Sequence, residues 1–194
     1  MNLKNNTMTV DQVKNASLGN WKSIAVEIRP GNTKNADGSL KPFYLTRDFN
    51  LSPEDKFKLI VTNYADAFGK VPLAKMLIMG HIEWRGEHPI APGAQKADFF
   101  ADKQYTVTPL LKGFADILNQ YTTGYSEWKV GEAQSILKKT FVPFGLTEDQ
   151  VFKEYDLIYL YNDMMFWGAR NVDGRGFDKE ENRPNNLQIP MIKR

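Results

Sequence analysis

Closely spaced runs with a period of two are the feature that most limits what this chain can fold into. In residues 21–29, Ile24, Val26 and Ile28 alternate with small or charged residues, which predicts a strand. Further extended runs follow at short intervals, at residues 43–50, 57–64, 74–86, 96–108 (as two short strands), 156–162 and 164–168. Roughly eight such strands predict an antiparallel sandwich or barrel.

Two or three helices are predicted beside these strands. The first follows Thr9, whose hydroxyl can cap it, and ends at Gly19. The second opens with Pro109 and has one apolar stripe, formed by Leu110, Phe114, Ile117 and Leu118. A third is predicted in residues 147–155, where Thr147 is the capping residue and acidic residues occupy the first turn.

The length and layout of the chain predict one domain over residues 1–194. Residues 1–20 form the lead-in with its helix. Asn162 and Asp163 separate two strand-like runs and favour a hairpin turn. Residues 169–194 are mostly polar, and we expect this tail to wrap the body without regular structure.

Residue counts exclude several classes of function. The net charge is only +2, from 25 basic and 23 acidic residues, so no nucleic-acid partner is expected. The absence of cysteine excludes disulfides, thiolate metal sites and thiol catalysis. Neither a P-loop nor a dinucleotide motif, nor a G-x-S-x-G or H-E-x-x-H motif, occurs. We therefore expect no cofactor.

Hydropathy bears on the compartment. The first ten residues lack the apolar segment of a secretory signal, and no window approaches the roughly 18 apolar residues of a membrane span. We expect a soluble protein without an integral membrane segment, which is cytoplasmic as written. It would be secreted or periplasmic if a signal peptide had been removed.

Charged residues within the first two strands form the first candidate ligand-binding set. If Ile24, Val26 and Ile28 pack outward against the helices and the tail, Glu27 and Arg29 point inward. Arg47 then joins them from the next strand. Buried charges must be paired. The set could receive a ligand's carboxylate or headgroup, because an arginine fork suits a planar oxyanion. The alternatives, which we favour, are a structural ion pair that closes one end of the barrel or a solvated sheet face.

A second candidate set follows in the sequence MGHIEWRGEH. His81, Glu83 and Arg85 share one strand face by alternation, and His88 follows a turn. His81, Glu83 and His88 could bind a metal ion, although we favour a histidine in a hydrogen-bonded interior network and predict no metal. His81 and Glu83 could also act as an acid-base pair.

The order of several motifs resembles a known family. E-x-R-P-G at Glu27 is followed by L-T-R, by GHIEWRG, and by a tail in which D-G precedes R-P and a short apolar end. From Leu18 to Met191 this order resembles the adenomatosis polyposis coli down-regulated domain family. The resemblance implies a calycin-like, lipocalin-like antiparallel β-barrel, and lipid binding in the animal members, including the acyl chain of a secreted signalling protein.

The chain departs from those animal members in one respect. Where they have a cysteine just before the glutamate, this chain has Val26. That difference favours a free-standing microbial relative.

Together, the residues and the resemblance lead to one preferred function. We expect a carrier that binds a small hydrophobic ligand, a lipid or fatty-acyl molecule with a polar or anionic end, inside the barrel. The alternative is a barrel enzyme (a cyclase, isomerase or hydrolase) that uses His81 and Glu83 on a hydrophobic small molecule. A protein-interaction module with a packed interior is the third hypothesis, and the protein partner stays open.

Overall fold

Strand pairing organises the whole chain in the computed structural model, which describes residues 8–194. Within that range, ten antiparallel strands form one sheet, accompanied by two α-helices, α1 (Val10–Ser17) and α2 (Lys112–Tyr121). The fold is therefore mainly β, as predicted. The strands are β1 (Gly19–Ser23), β2 (Glu27–Lys34), β3 (Leu40–Ser52), β4 (Lys56–Tyr64), β5 (Pro72–Glu87), β6 (Gln95–Pro109), β7 (Gln134–Ser135), β8 (Phe152–Tyr161), β9 (Met164–Trp167) and β10 (Met191–Lys193).

The pairing order closes on itself. Strand β1 pairs with β10 on one side and with β3 on the other, so that Trp21 lies opposite both Lys193 and Phe49. The order β1-β10-β9-β8-β6-β5-β4-β3 therefore returns to β1. Strand β2 pairs with the first half of β3, beyond the end of β1. The sheet is a hydrogen-bonded ring with an inner and an outer face.

Aromatic side chains fill part of the inner face. Phe49 of β3 stacks on Trp167 of β9 with ring centroids 4.5 Å apart, and Phe99 of β6 lies 4.7 Å from the same indole. Phe57 of β4 contacts both phenylalanines. Each aromatic pair contributes about 0.5–1.5 kcal/mol beyond the area that it buries. Strands far apart in the sequence are thus held together across the ring.

Helix α1 forms as the sequence predicts. Thr9 and Gln12 make a reciprocal capping box, and the buried Val13 packs into the core. The indole Nε1 of Trp21 donates to the carbonyl of Ser17 at 2.6 Å. Helix α2 is also present, but it begins at Lys112 and not at Pro109, which is the last residue of β6. Its predicted stripe is not entirely buried, because Ile117 is 50% exposed.

The predicted strand over residues 21–29 is two strands. The chain leaves regular pairing after Ser23 and resumes it at Glu27. The expectation that the outward isoleucines pack against helices and the tail is wrong, because Ile24 is 51% and Ile28 59% exposed. The inward direction of Glu27 is nevertheless correct, since the side chain is fully buried.

Residues 96–108 form one long strand, β6, where two short ones were predicted. The chain does not turn within β6; instead, the register of its pairing with β5 shifts between Met79 and His81. A Cβ at Gly80 would lie 1.7 Å from the carbonyl oxygen of Phe100, so only glycine permits this approach of β5 to β6. The irregularity is a bulge within a continuous strand.

Two further predictions about the second half of the chain need correction. Residues 147–155 do not form a helix, because Asp149 adopts a left-handed φ of 59° and β8 begins at Phe152. The tail is not wholly irregular either, since it supplies β10, whose buried Met191 lies opposite Met165. The predicted hairpin turn is confirmed at Asn162 and Asp163, with φ of 48° and 57°.

Among residues 8–194, no helix is both long and apolar enough to cross a membrane.

Candidate functional site

A cavity of about 610 Å³ lies inside the ring of strands. One of its walls is apolar and comes from the adjacent strands β4, β5 and β6. That wall includes Leu59, Val61, Met76, Ile78 and Tyr105. The opposite wall carries charged side chains from β2, β3, β8 and the segment that follows β9. These are Arg29, Arg47, Glu154, Asp156 and Arg170, which we call the charged wall.

Glu27 anchors two arginines of the charged wall from behind. Its Oε2 accepts hydrogen bonds from Arg29 Nη2 at 2.7 Å and Nε at 3.1 Å. Its Oε1 accepts from Arg47 Nε at 2.8 Å and from Ser23 Oγ at 2.9 Å. Burial by itself would raise the pKa of Glu27, but the two arginines hold that pKa below its usual value. The predicted pairing of Glu27 with Arg29 and Arg47 is confirmed, and their role in ligand binding stays a prediction.

Glu154 and Asp156 were not identified from the sequence, although both face the cavity. Asp156 Oδ1 accepts from the backbone N–H groups of Leu157 at 2.7 Å and Gly168 at 2.8 Å. Burial, reinforced by the charge of Glu154, raises the pKa of Asp156 to about 7. Burial also raises the pKa of Glu154, against the opposing effect of three arginines of the wall.

The strand alternation of β8 could have revealed this pair. Phe152, Glu154 and Asp156 lie two residues apart and share one strand face. The prediction of a helix over residues 147–155 concealed that pattern.

Arg170 completes the charged wall from the segment after β9. Its Nε donates to the carbonyl of Gly174 at 3.0 Å, and its guanidinium lies 5.4 Å from the ring centroid of Phe43. Burial and the nearby Arg29 lower the pKa of Arg170. The wall thus presents several hydrogen-bond donors and acceptors across from a hydrophobic surface.

The second predicted set lies on the outer face of the ring. His81, Glu83 and Arg85 alternate along β5 with inward Ile82, and none of the three lines the cavity. His81 stacks on Phe100 at 4.8 Å and is 38% exposed, so it is not part of an interior network. The six predicted ligand-binding residues therefore do not form one site.

The hypothesis of a metal site at His81, Glu83 and His88 is not supported. In the part of the chain that the structure describes, no group of three histidine or acidic side chains could hold a metal ion. His88 instead accepts a hydrogen bond from the backbone N–H of Ile90 at 3.1 Å. Burial, together with the charge of Arg183, lowers the pKa of His88.

The outer face also carries a cluster around Asp98 that fastens the tail. This carboxylate is 1% exposed and accepts from Arg183 Nη2 at 2.6 Å, Arg85 Nε at 2.9 Å and Lys153 Nζ at 3.0 Å. Arg183 belongs to the tail, whereas the other two cations belong to β5 and β8. Burial would raise the pKa of Asp98, but these cations lower it. The cluster therefore joins three parts of the chain.

Replacing Asp98 with asparagine should lower the free energy of unfolding at pH 7 by about 1–3 kcal/mol, because buried hydrogen bonds lose their charged acceptor. Since the folded pKa of Asp98 is lowered, its contribution is present above the unfolded pKa and is lost as the pH falls through the folded one. Urea unfolding at pH 7 and pH 3 tests this, with the exposed Asp116→Asn as control. An equal loss at both pH values would contradict it.

The described residues thus define a mainly β protein whose closed antiparallel ring surrounds a cavity with one apolar and one charged wall. The family model described as adenomatosis polyposis coli down-regulated 1 matches residues 2–136, more than half of the chain, so the chain belongs to this family. A comparison with curated proteins finds no match. The resemblance noted in the sequence is confirmed; its tail motif, like Glu154 and Asp156, lies beyond the matched residues.

Proposed function

We propose that this protein binds a small hydrophobic molecule with a polar or anionic end inside a calycin-like barrel. The observation that carries the proposal is the cavity of about 610 Å³ between one apolar and one charged wall. Small-molecule pockets are typically about 300–1,000 Å³ and combine apolar lining with a few polar groups. Antiparallel barrels of about eight strands can hold one small ligand in the same way.

The two walls suit the two parts of such a ligand. Burying an acyl chain against Leu59, Val61 and Met76 would contribute about 25 cal/mol per Å² of apolar area removed from water. The guanidinium groups of the opposite wall can donate to a polar or anionic end. This arrangement supports the proposal of a ligand that has both features.

The enzyme hypothesis has less support. His81 and Glu83, the proposed acid-base pair, lie on the outer face and do not line the cavity. A catalytic acid or base must come within hydrogen-bond reach of its substrate. A substrate held inside the ring would be out of reach of both side chains. The interaction-module hypothesis assumes a packed interior, which the cavity disfavours.

Filling the cavity tests the proposal. Ala101 is 2% exposed and lines the cavity, so Ala101→Phe should occupy ligand space with less strain than the about 1–3 kcal/mol of overpacking a filled core. We expect the wild type to bind 11-(dansylamino)undecanoic acid with a blue shift in emission, and the variant to bind it at least tenfold more weakly. Ile117→Phe, on the exposed side of α2, is the matched control.

Two outcomes would contradict the proposal. One is the absence of any emission change with the wild type. The other is a folded Ala101→Phe variant that binds the probe as tightly as the Ile117→Phe control, because the probe would then occupy a different part of the molecule.

A further inference from the structure

A purely hydrophobic ligand does not explain why the charged wall contains two carboxyl groups, those of Glu154 and Asp156. Glu154 lines the cavity, and no group in residues 8–194 donates a hydrogen bond to its carboxyl. Asp156 has its Oδ1 fixed by two backbone N–H groups. Asp156 is buried and Glu154 is half-buried, and acids in such surroundings destabilise a fold when they are not fully compensated. A chemical role for the pair should therefore be sought in what the cavity binds.

We infer that the charged wall is a site for a free monocarboxylate, which binds together with one proton that Glu154 or Asp156 takes up from solvent. This inference rests on the proposed function and deepens it, since it names the ligand as a carboxylic acid with a hydrophobic chain. An ester, an alcohol or a dianionic phosphate would not bind together with a single proton.

The formal charges of the site show why a bound carboxylate requires a proton. Three arginines contribute positive charge, and the fully buried Glu27 neutralises one of them. When Glu154 and Asp156 are both ionised, the site is therefore neutral. A bound carboxylate adds one negative charge beside the buried Arg29, Arg47 and Asp156, where an uncompensated charge is costly. One proton restores neutrality.

Among the groups of residues 8–194 that face the cavity, only the pair can take that proton near neutral pH. Asp156 has a pKa raised to about 7, and that of Glu154 is also raised. The other charged or titratable groups that face them keep their states. They are Glu27 and Arg29 from β2, Arg47 from β3, Tyr105 from β6 and Arg170 from the segment after β9.

Each of those groups keeps its protonation state near neutral pH for a physical reason. The pKa of Glu27 is lowered by its two arginines, so it stays ionised. Burial raises the pKa of Tyr105, so its phenol stays protonated. Arginine side chains do not lose their proton in proteins.

The ligand class follows from the number of protons. A monocarboxylate requires one, and Asp156 is already close to its titration point at neutral pH. A dianionic phosphate would require two. An ester or an alcohol brings no charge and requires none, so its binding would be independent of pH.

Calorimetric titration tests the inference with two matched probes, dodecanoate and dodecan-1-ol. Measured at pH 8 in buffers of different ionisation enthalpy, dodecanoate binding should take up more than half a proton per molecule, and dodecan-1-ol binding none. Dodecanoate is ionised from pH 7 to pH 9, because its carboxyl resembles that of a glutamate side chain. Its Kd should therefore rise with pH over this range, by up to about tenfold per pH unit.

The double variant Glu154→Gln/Asp156→Asn should abolish the proton uptake. Its site keeps a net positive charge at every pH, so we expect it to bind dodecanoate at pH 9 at least tenfold more tightly than the wild type. The exposed Glu132→Gln is the matched control. If the double variant does not fold, carbon NMR of the wild-type carboxyl groups gives the same answer, because saturation with dodecanoate should move the titrations of Glu154 and Asp156 to higher pH.

The outcomes separate this inference from the proposed function. If dodecan-1-ol binds and dodecanoate binds without proton uptake or not at all, the monocarboxylate site is overturned while the hydrophobic binding function stands. If neither probe binds, both are overturned. Proton uptake that persists unchanged in the double variant would also overturn the assignment to Glu154 and Asp156.

Discussion

Replacing Glu27 with glutamine should lower the free energy of unfolding by about 3–5 kcal/mol, as expected when one partner of a buried ion pair is removed. Glu27 is fully buried, and it is the ion-pair partner of Arg29 and Arg47, which are 8% and 5% exposed. The variant would leave two buried guanidinium groups facing a neutral amide. Within residues 8–194, Arg47 Nη2 already lacks a hydrogen-bond partner, so little local compensation is available.

Urea unfolding at pH 7 measures this loss, and Glu132→Gln on the surface serves as control. Because the pKa of Glu27 is lowered in the folded protein, its stabilising effect is present above the unfolded pKa and disappears as the pH falls through the folded one. The difference between variant and wild type should therefore shrink in acid. A loss below about 1 kcal/mol at pH 7 would be typical of a solvated surface pair and would contradict the buried arrangement.

The cluster of Glu27, Arg29 and Arg47 was largely predictable from the sequence. The period of two placed Glu27 and Arg29 on one strand face, and the need to pair buried charges led us to expect Arg47 of the next strand beside them. Both expectations hold in the structure. The cluster is compatible with both a structural ion pair and a ligand-binding set, because both arginines bond to Glu27 and both line the cavity.

Alternation alone could not decide which face of β5 is the inner one. A shift of one residue exchanges the two faces of a strand. In the run from Met79 to Arg85 the charged side chains share one face and Ile82 and Trp84 share the other, but this pattern does not tell which face lines a ligand cavity. His81 and Glu83 consequently lie outside, whereas Ile78 and Ile82 face inward. The pairing of β5 with β4 and β6 fixes the choice, and those contacts are distant in sequence.

Local signals also competed with tertiary pairing in the second half of the chain. Thr147 followed by acidic residues is typical of a helix start, but the left-handed backbone at Asp149 and the pairing of β8 with β6 override it. Strand β10 has only three residues, too few for a periodic pattern. Its place is set by Met191, which is buried between β9 and β1.

Replacing Asp156 with asparagine should stabilise the protein increasingly as the pH rises. Asparagine resembles the protonated acid and keeps an oxygen that can accept from the backbone N–H groups of Leu157 and Gly168. The pKa of Asp156 is raised from 3.8 to about 7 in the folded protein. The unfolded chain therefore releases this proton at lower pH, and the wild type loses stability as the pH rises from the unfolded pKa to the folded one.

The magnitude of this effect follows from the same shift. Each pKa unit corresponds to about 1.4 kcal/mol, so the gain of the variant over the wild type should grow by roughly 2–4 kcal/mol between pH 4 and pH 8. Urea unfolding across this range measures it, with the exposed Asp116→Asn as control. A difference between Asp156→Asn and wild type that stays constant with pH would show that Asp156 ionises normally.

A stabilising substitution at this position would have a functional meaning. Natural sequences depart from the most stable choice mainly at functional or strained sites, where activity offsets the loss. Asp156 lies on the charged wall of the cavity, beside Glu154 and across from the apolar wall. If asparagine stabilises the fold at pH 8 while removing proton uptake by dodecanoate binding when combined with Glu154→Gln, the acid is retained for its ligand and not for the fold.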